Sequence, residues 1–274
     1  MTAGSSRVAP DARDAGGARV RREALLERIH AQGEGRVAAL AAAVGASEVT
    51  VRRDLVALER QGLVDRTWGG ARSHVALCYG GDHLERAARG EAAKRAVAAA
   101  AARLVAPNMV VALSGGTTLT LLARMLRGRP LNVVTNAVNV AAELHGHGAT
   151  KVIVTGGALK ANSYELVGAA ADAIIRAYHV ELAFFSCSGV DDAGFGRRDH
   201  AEATIVREFR RAAARTVMLI DQGKLDRGYR ARVAALGEVD QVIVDGPLPP
   251  IWRERLAAGR TEVLEVSPCD TGAS

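Results

Sequence analysis

Seven short apolar, β-branched runs recur along the last two-thirds of the chain. They are MVVAL at 109–113, LNVVT at 131–135, KVIVT at 151–155, ELAFFSC at 181–187, TVMLI at 216–220, QVIVD at 241–245 and VLEV at 263–266. Most are separated by stretches long enough for a helix, such as Thr118–Arg127, Asn136–His145 and Glu202–Ala214. Strands that are apolar throughout, rather than alternating, are buried on both faces. Helix-length spacers supply the crossovers that parallel strands need. Residues 91–267 are therefore expected to form an α/β domain around a mainly parallel sheet.

The first third reads differently. Residues 1–18, rich in Gly, Ala, Ser, Asp and Arg without periodicity, are expected to be a tail lacking stable structure. Residues 19–75 carry helical patterns. RREALLERIHAQG puts Leu25, Leu26 and Ile29 on one stripe, and RVAALAAAVG places Val37, Leu40, Ala41 and Val44 at helical spacing before stopping at Gly45. Ser47 then suits the N-cap of a third helix, EVTVRRDLVALERQG. Two helices joined by a tight glycine-containing turn form a helix-turn-helix. At about 100° per residue, Val51, Leu55 and Leu58 share the buried stripe of that third helix. Val49, Thr50, Arg53, Val56 and Ala57 point away, with Arg52 at the flank. Early helix residues that pair with guanine acceptors or meet a thymine methyl are what major-groove reading of double-stranded DNA requires. GLVDRTWGGARSHV follows as a hairpin: a strand over Leu63–Trp68, a Gly69-Gly70 turn, and a strand from Ala71. That is the wing of a winged helix, with Arg66, Trp68 and Arg72 available to the DNA backbone or minor groove. Ser47, Val49, Thr50, Arg52, Arg53, Arg66, Trp68 and Arg72 are the candidate DNA contacts. An Arg-Arg pair by itself is usually a solvated face; the order helix, turn, helix, hairpin is what favours DNA.

Residues 76–90 mix glycines and charges and read as a linker. Beyond it, Ser114-Gly115-Gly116-Thr117-Thr118 lies between a strand and a helix. Glycines allow close backbone approach, hydroxyls add donors, and the helix N-terminus favours an anion. A phosphate monoester fits; the loop matches neither the GKT or GKS nucleotide motif nor GxGxxG, so no nucleotide cofactor is expected. Thr135-Asn136, Gly156-Gly157 and Ser188-Gly189 sit where later strands end, where ligands of open parallel sheets bind. Lys224 in DQGKL is the candidate cation. Any one of these can be a plain turn or a surface lysine; their combination favours an effector site.

The remaining features exclude other classes. The net charge is +6, and the first 75 residues hold twelve Arg against nine acidic residues. The surplus is therefore spread along the chain and says little by itself. Cys78, Cys187 and Cys269 are odd in number and form no CxxC pair, which favours a reducing compartment over a disulfide framework or structural zinc. His145, His147, His179 and His200 show no metal-ligand spacing. No uncharged apolar run reaches the roughly 18 residues of a membrane span, Ala96–Ala102 reads as helix, and MTAGSSRVAPDARDAGGARV has no signal-peptide core. A cytoplasmic protein is expected.

The stretch GASEVTVRRDLVALERQGLVDRTWGGA, residues 45–71, closely resembles the DeoR family of bacterial transcription regulators. The likeness continues through LERAARGEAAKRAVAAAAARLV, ALSGGTT, VVTNA, VTGG, LAFFSCSGV and DQGKL, roughly residues 19–245. The resemblance implies a repressor of carbohydrate or nucleoside catabolic genes, relieved by a small phosphorylated sugar. It also implies a C-terminal fold similar to the ribose-phosphate isomerase and CoA-transferase type. The sequence departs from the family pattern at Gly116, where serine is usual, at Glu181 in place of aspartate, at Ser186-Cys187 in place of a Gly-Ala type pair, and at Leu225 in place of phenylalanine. Two alternatives stay open. One is a sugar-phosphate isomerase built on Asp191, Asp192, Glu202 and Lys224, although these form no tight acid/base set. The other is a CoA-transferase-like binding protein. A homo-oligomer is expected, because readers of palindromic sites bind as dimers or higher assemblies. Whether the chain represses or activates is left open.

Overall fold

Three apolar stripes meeting in one small core set the N-terminal fold. The computed structural model describes residues 12–32, 34–60, 63–73, 81–160 and 163–267, and the chain divides into two units, Met1–Leu84 and Glu85–Ser274. In the first unit, α1 (Ala12–Gln32), β1 (Glu34–Arg36), α2 (Val37–Val44), α3 (Glu48–Arg60), β2 (Val64–Thr67) and β3 (Gly70–Ser73) follow in order. Leu25 and Ile29 of α1, Val37, Leu40 and Ala41 of α2, and Val51, Leu55 and Leu58 of α3 are buried together with Val64 and Ala71 of the hairpin. Burying each large aliphatic side chain contributes roughly 1.5–3 kcal/mol. The amide of Gly45 closes α2 on the carbonyl of Ala41.

Three local expectations change here. Helix α1 extends back to Ala12, into the stretch 1–18 expected to lack structure, because Ala and Arg between positions 12 and 19 are strong helix formers; residues 1–11 lie outside the described residues. The hairpin turns at Trp68-Gly69 rather than Gly69-Gly70, since Thr67 and Gly70 form its last pair. Gly70 instead belongs to the middle strand of a three-stranded sheet, order β1-β3-β2. A Cβ there would lie 2.2 Å from the carbonyl oxygen of Gly35, so the glycine serves a close strand approach that the three-residue β1 did not announce. Finally, the linker 76–90 is helical over Gly81–Ala88, α4. Its C-terminal end is held from outside, because the buried Lys94 ammonium donates to the carbonyls of Arg86 and Arg89. Residues 76–80 lie outside the described residues.

The second unit continues with α5 (Glu91–Arg103), β4 (Val110–Leu113), α6 (Thr117–Met125), β5 (Leu131–Thr135), α7 (Val138–Leu144) and β6 (Thr150–Val154). A small hairpin, β7 (Ala158–Leu159) with β8 (Leu166–Val167), precedes α8 (Ala169–Arg176) and β9 (Val180–Ser186). Next come β10 (Gly189–Asp191), β11 (Gly194–Arg197), α9 (His200–Ala212), β12 (Ala213–Ile220), β13 (Ala231–Ala234), β14 (Gln241–Asp245), α10 (Pro250–Ala258) and β15 (Glu262–Val266). Seven strands form one sheet in the order β15-β14-β12-β9-β4-β5-β6, every neighbouring pair parallel.

Alternate residues of each central strand feed opposite cores. Val111, Leu113, Leu182 and Phe184 pack with α5, α6 and α7, while Ala112, Ala183, Phe185 and Met218 pack with α8, α9 and Trp252 of α10. Both faces are thus covered, which is why the apolar runs are unbroken. The mainly parallel α/β sheet expected from the sequence is what forms. The sequence pattern did not reveal the antiparallel sheet β10-β11-β13 or the β7-β8 hairpin, which are too short and glycine-rich to give a period.

Candidate functional site

In the first unit, α3 presents the residues that face away from its core. The hydroxyl of Ser47 accepts the Thr50 amide at 3.2 Å and lies 2.9 Å from the Thr50 hydroxyl, so this serine caps the helix start. Val49, Arg52 and Arg53 are exposed and Thr50 is half-buried. Arg52 pairs with Glu48 at 2.8 Å, Arg66 with Glu59 at 3.6 Å, and Arg72 with Glu34 at 3.8 Å. Arg53 has no hydrogen bond or ion pair among the described residues. Trp68, at the hairpin tip, is fully exposed. Exposed ion pairs like these contribute at most about 1 kcal/mol each, so a DNA phosphate can replace the carboxylate at little cost.

Asp54 has a structural role that went unread in the sequence. It is buried on α3 and accepts Arg21 Nε at 2.6 Å and Arg22 Nε at 2.8 Å, docking this helix on α1. A signal was present: an aspartate about 40° from Leu58 on the helical wheel sits at the edge of a buried stripe and so requires a partner.

In the second unit a cleft of about 410 Å³ opens at the carboxyl ends of β4, β9, β12 and β14. The chain leaves β4 toward β5 on one side, while β9 lies on its other side. This is the topological switch point at which open parallel sheets bind ligands. Gly115, Gly116, Thr117 and Thr118 line it from the end of β4, Ser186, Cys187 and Ser188 from β9, Asp221, Gly223 and Lys224 from β12, and Asp245 from β14. Gly116 has φ +131°, a region that side chains avoid, which accounts for glycine where the family pattern has serine. No side chain caps α6, so the amides of its first turn are left for an anion. Lys224 Nζ donates to Ser186 Oγ at 2.7 Å and lies 3.4 Å from Asp221. The unusual Ser186 is therefore the residue that orients the lysine.

Six expected residues do not line this cleft. Ser114 is buried beneath the loop and its hydroxyl has no partner. The Thr135 hydroxyl is spent on the Leu113 carbonyl at 2.7 Å, and Asn136 donates to Glu165 and to the Leu166 carbonyl. Gly156 lies between β6 and β7, and a Cβ on Gly157 would meet the Val167 carbonyl at 2.6 Å. Gly189 starts β10, paired with Gly196. For the four residues that follow β5 and β6 the reason is topological: these strands lie on the far side of β4 from β9, and the β7-β8 hairpin packs over their ends.

Basic residues that sequence reasoning missed complete the lining: Arg86 and Arg89 around α4, Lys94 of α5, Arg197 and Arg198 at the end of β11, and Arg227. Arg197 is nearly completely buried. It pairs with Glu165 at 3.2 Å, donates to the Gly115 carbonyl at 3.3 Å and lies 3.7 Å from Glu202. It therefore braces the loop from behind. Burial holds the Lys94 ammonium below its ordinary pKa; Asp221 opposes this, while Lys224, Arg86 and Arg89 add to it. Burial likewise pushes the Cys187 thiol up to about 11, leaving it a neutral wall of the cleft. Cys187 is free, and Cys78 and Cys269 lie outside the described residues. Among the described residues, no group of His, Cys, Asp and Glu is placed to hold a metal, and no helix is long and apolar enough to cross a membrane.

With this geometry in place, the chain matches two family models. Residues 21–75 match the DeoR-like helix-turn-helix domain and residues 90–246 the DeoR C-terminal sensor domain. It is 31% identical over 250 residues to a putative aga operon transcriptional repressor of Escherichia coli O157:H7, covering 90% of this chain and 93% of that one. It is also 31% identical over 230 residues to the L-fucose operon activator of Haemophilus influenzae, covering 84% and 92%. Among solved structures, ribose 5-phosphate isomerase A of Methanocaldococcus jannaschii overlaps 50% of this chain and 55% of its own, at 19% identity and a TM-score of 0.38. That overlap is too loose to bear on activity.

Proposed function

This chain belongs to the DeoR family of transcription regulators, and we propose that it represses a carbohydrate or nucleoside catabolic operon until a phosphorylated sugar occupies the cleft. Its helix-turn-helix makes it a DNA-binding regulator; the operator contacts, the effector and the sign of control are the proposed part. The single observation that carries the effector is the Gly116–Thr118 loop at the uncapped start of α6 with Lys224 in the same cleft. Amides, hydroxyls and one oriented ammonium are the donor set of a phosphate site. On the DNA side, Thr50 and Arg53 read base edges, Ser47, Val49 and Arg52 support them, and Arg66, Trp68 and Arg72 of the wing hold the backbone. Relatives named for repression and for activation both exist; repression is the sign proposed. The protein acts in the cytoplasm, as a dimer or higher homo-oligomer matched to a symmetric operator.

An isomerase is the weaker reading. Of its candidate groups only Lys224 lines the cleft. Asp191 accepts the Tyr229 hydroxyl at 2.8 Å, Asp192 pairs with Arg255 at 2.8 Å, and Glu202 stands behind Arg197.

The test couples the two activities. Full-length protein is titrated with a duplex carrying its own promoter region, with and without a panel of sugar phosphates. An effector that weakens DNA binding tenfold must itself bind the DNA complex tenfold more weakly, about 1.4 kcal/mol of coupling. Lys224→Met is expected to lower sugar-phosphate affinity by about tenfold or more, the value of a charged hydrogen bond. Equal binding of unphosphorylated sugars, or no loss in the variant, would show that the phosphate assignment is wrong. Turnover of a sugar phosphate would favour the isomerase.

A further inference from the structure

The basic groups of the cleft outnumber its acidic ones. Seven basic side chains line it against two acidic ones, Asp221 and Asp245. Even when Arg86 is left out of the count and Glu165 and Glu202 are set against Arg197 from behind, basic groups still outnumber acidic ones by two. A phosphate monoester carries about −1.5 to −2 at neutral pH, and Lys224 with the α6 amides already answers it.

Two buried groups point the same way. Lys94 is 6% exposed and lines the cleft, yet its hydrogen bonds go to two neutral carbonyls. Three neighbouring cations disfavour its charge, against one carboxylate that supports it. Arg197 is 7% exposed, and its Nε has no hydrogen-bond partner. At the mouth, the exposed side chains of Arg198 and Arg227 make no ion pair or hydrogen bond among the described residues. Basic residues left uncompensated around one concave site raise the local concentration of anions and discriminate by charge.

We propose that the cleft takes a small sugar bearing two acidic groups, a phosphate plus either a second phosphate or a carboxylate. This rests on the sugar-phosphate reading above and narrows it. The first phosphate lies against Gly116–Thr118 and Lys224, and the second acid is met by Arg198 and Arg227. Because those two arginines are exposed, their share of the affinity is screened by salt.

Calorimetric titration of the full chain tests this with matched pairs: fructose 6-phosphate against fructose 1,6-bisphosphate, and glucose 6-phosphate against 6-phosphogluconate. At low salt at least one diacid is expected to bind about tenfold or more tighter than its monophosphate, the value of an added charged contact. Which pair shows the gap identifies the second group. The double variant Arg198→Ser, Arg227→Ser is expected to shrink that ratio by about tenfold, and higher salt to narrow it in the wild type. Equal affinities within both pairs, or a ratio untouched by the double variant, overturn the two-acid ligand while leaving the phosphate site standing. If neither member of either pair binds while promoter DNA still does, the sugar-phosphate reading falls as well. Thermal unfolding of the double variant, both of whose changes are at exposed positions, confirms that the ratio is read on folded protein.

Discussion

Helix α3 with its hairpin and the cleft both gather arginines, and they hold them in opposite ways. On α3 and the wing, Arg52, Arg66 and Arg72 stand in solvent beside single carboxylates at 2.8, 3.6 and 3.8 Å. In the cleft, Arg197 is buried among Glu165, Glu202 and a loop carbonyl, and Lys224 is fixed through Ser186. The first arrangement suits a partner that varies along its length, because weak, screened pairs exchange for phosphates wherever these fall. The second suits one small ligand of fixed shape, because its donors are already oriented. Charge at the surface is therefore replaceable, whereas charge in the cleft is built into the fold.

The sharpest way to break that contrast is to remove one charge from each side. Arg197→Met leaves Glu165, 1% exposed, without its cation, and is expected to cost about 3–5 kcal/mol of folding stability. Urea unfolding measures it, and a loss below about 1 kcal/mol, the size of a surface pair, would erase the distinction.

Arg53→Ala should do the reverse. Stability stays within about 0.5 kcal/mol, while specific operator binding weakens by about 1–3 kcal/mol through a lost guanine contact. Unchanged affinity in a folded variant would remove Arg53 from base reading.

An intermediate case sharpens the comparison. Asp199 caps α9, accepting the amides of Ala201 and Glu202 at 2.9 and 3.1 Å, and it pairs with Lys160. The hydrogen bond from Lys160 is the main reason its carboxyl is held below the ordinary carboxylate range. Asp199→Ala is expected to cost about 1 kcal/mol. Because the native pKa is depressed, the stabilisation is complete above the unfolded value near 3.9 and lost as pH falls through the lower native value. Melting curves from pH 7 downward should show the wild-type advantage holding to about pH 4 and shrinking below it. A constant advantage at all pH values would assign the effect to packing instead.

The smallest effect concerns Arg52. Arg52→Ala should change stability by only about 0.3–0.5 kcal/mol. It should also reduce the slope of log affinity against log salt by about 0.9, one phosphate contact. An unchanged slope would leave Arg52 as a helix-surface partner of Glu48 alone.

Much of the outward face of α3 was legible because its residues are neighbours in the chain. Within 47–58, helical geometry alone separates the buried Val51, Leu55 and Leu58 from the outward Val49, Thr50 and Arg53, and the structure keeps that division. The parallel sheet was legible for a similar reason, since burial on both faces marks each strand locally. The cleft was legible only in part. A glycine-rich turn after β4 and a lysine after β12 carry local signatures, but Lys94 in EAAKR and Arg197 in GFGRRDH look like any helix-surface or turn cation.

Sequence by itself therefore determined the strands of the parallel sheet, the helices of the helix-turn-helix and which of their faces meet the core, while the resemblance across residues 19–245 pointed to the family. The strands, helices and faces follow from periodicity and side-chain type within a dozen residues. Only the tertiary structure decided that the strand-end loops do not all converge. With β9 inserted beside β4, the ends of β4, β9, β12 and β14 share one cleft, and Thr135, Asn136, Gly156 and Gly157 fall on the far side. It also decided that cations as distant in sequence as Arg86 and Arg227 line the same cleft. Strand order and long-range charge pairing depend on contacts between residues tens to more than a hundred positions apart, and no local pattern encodes them.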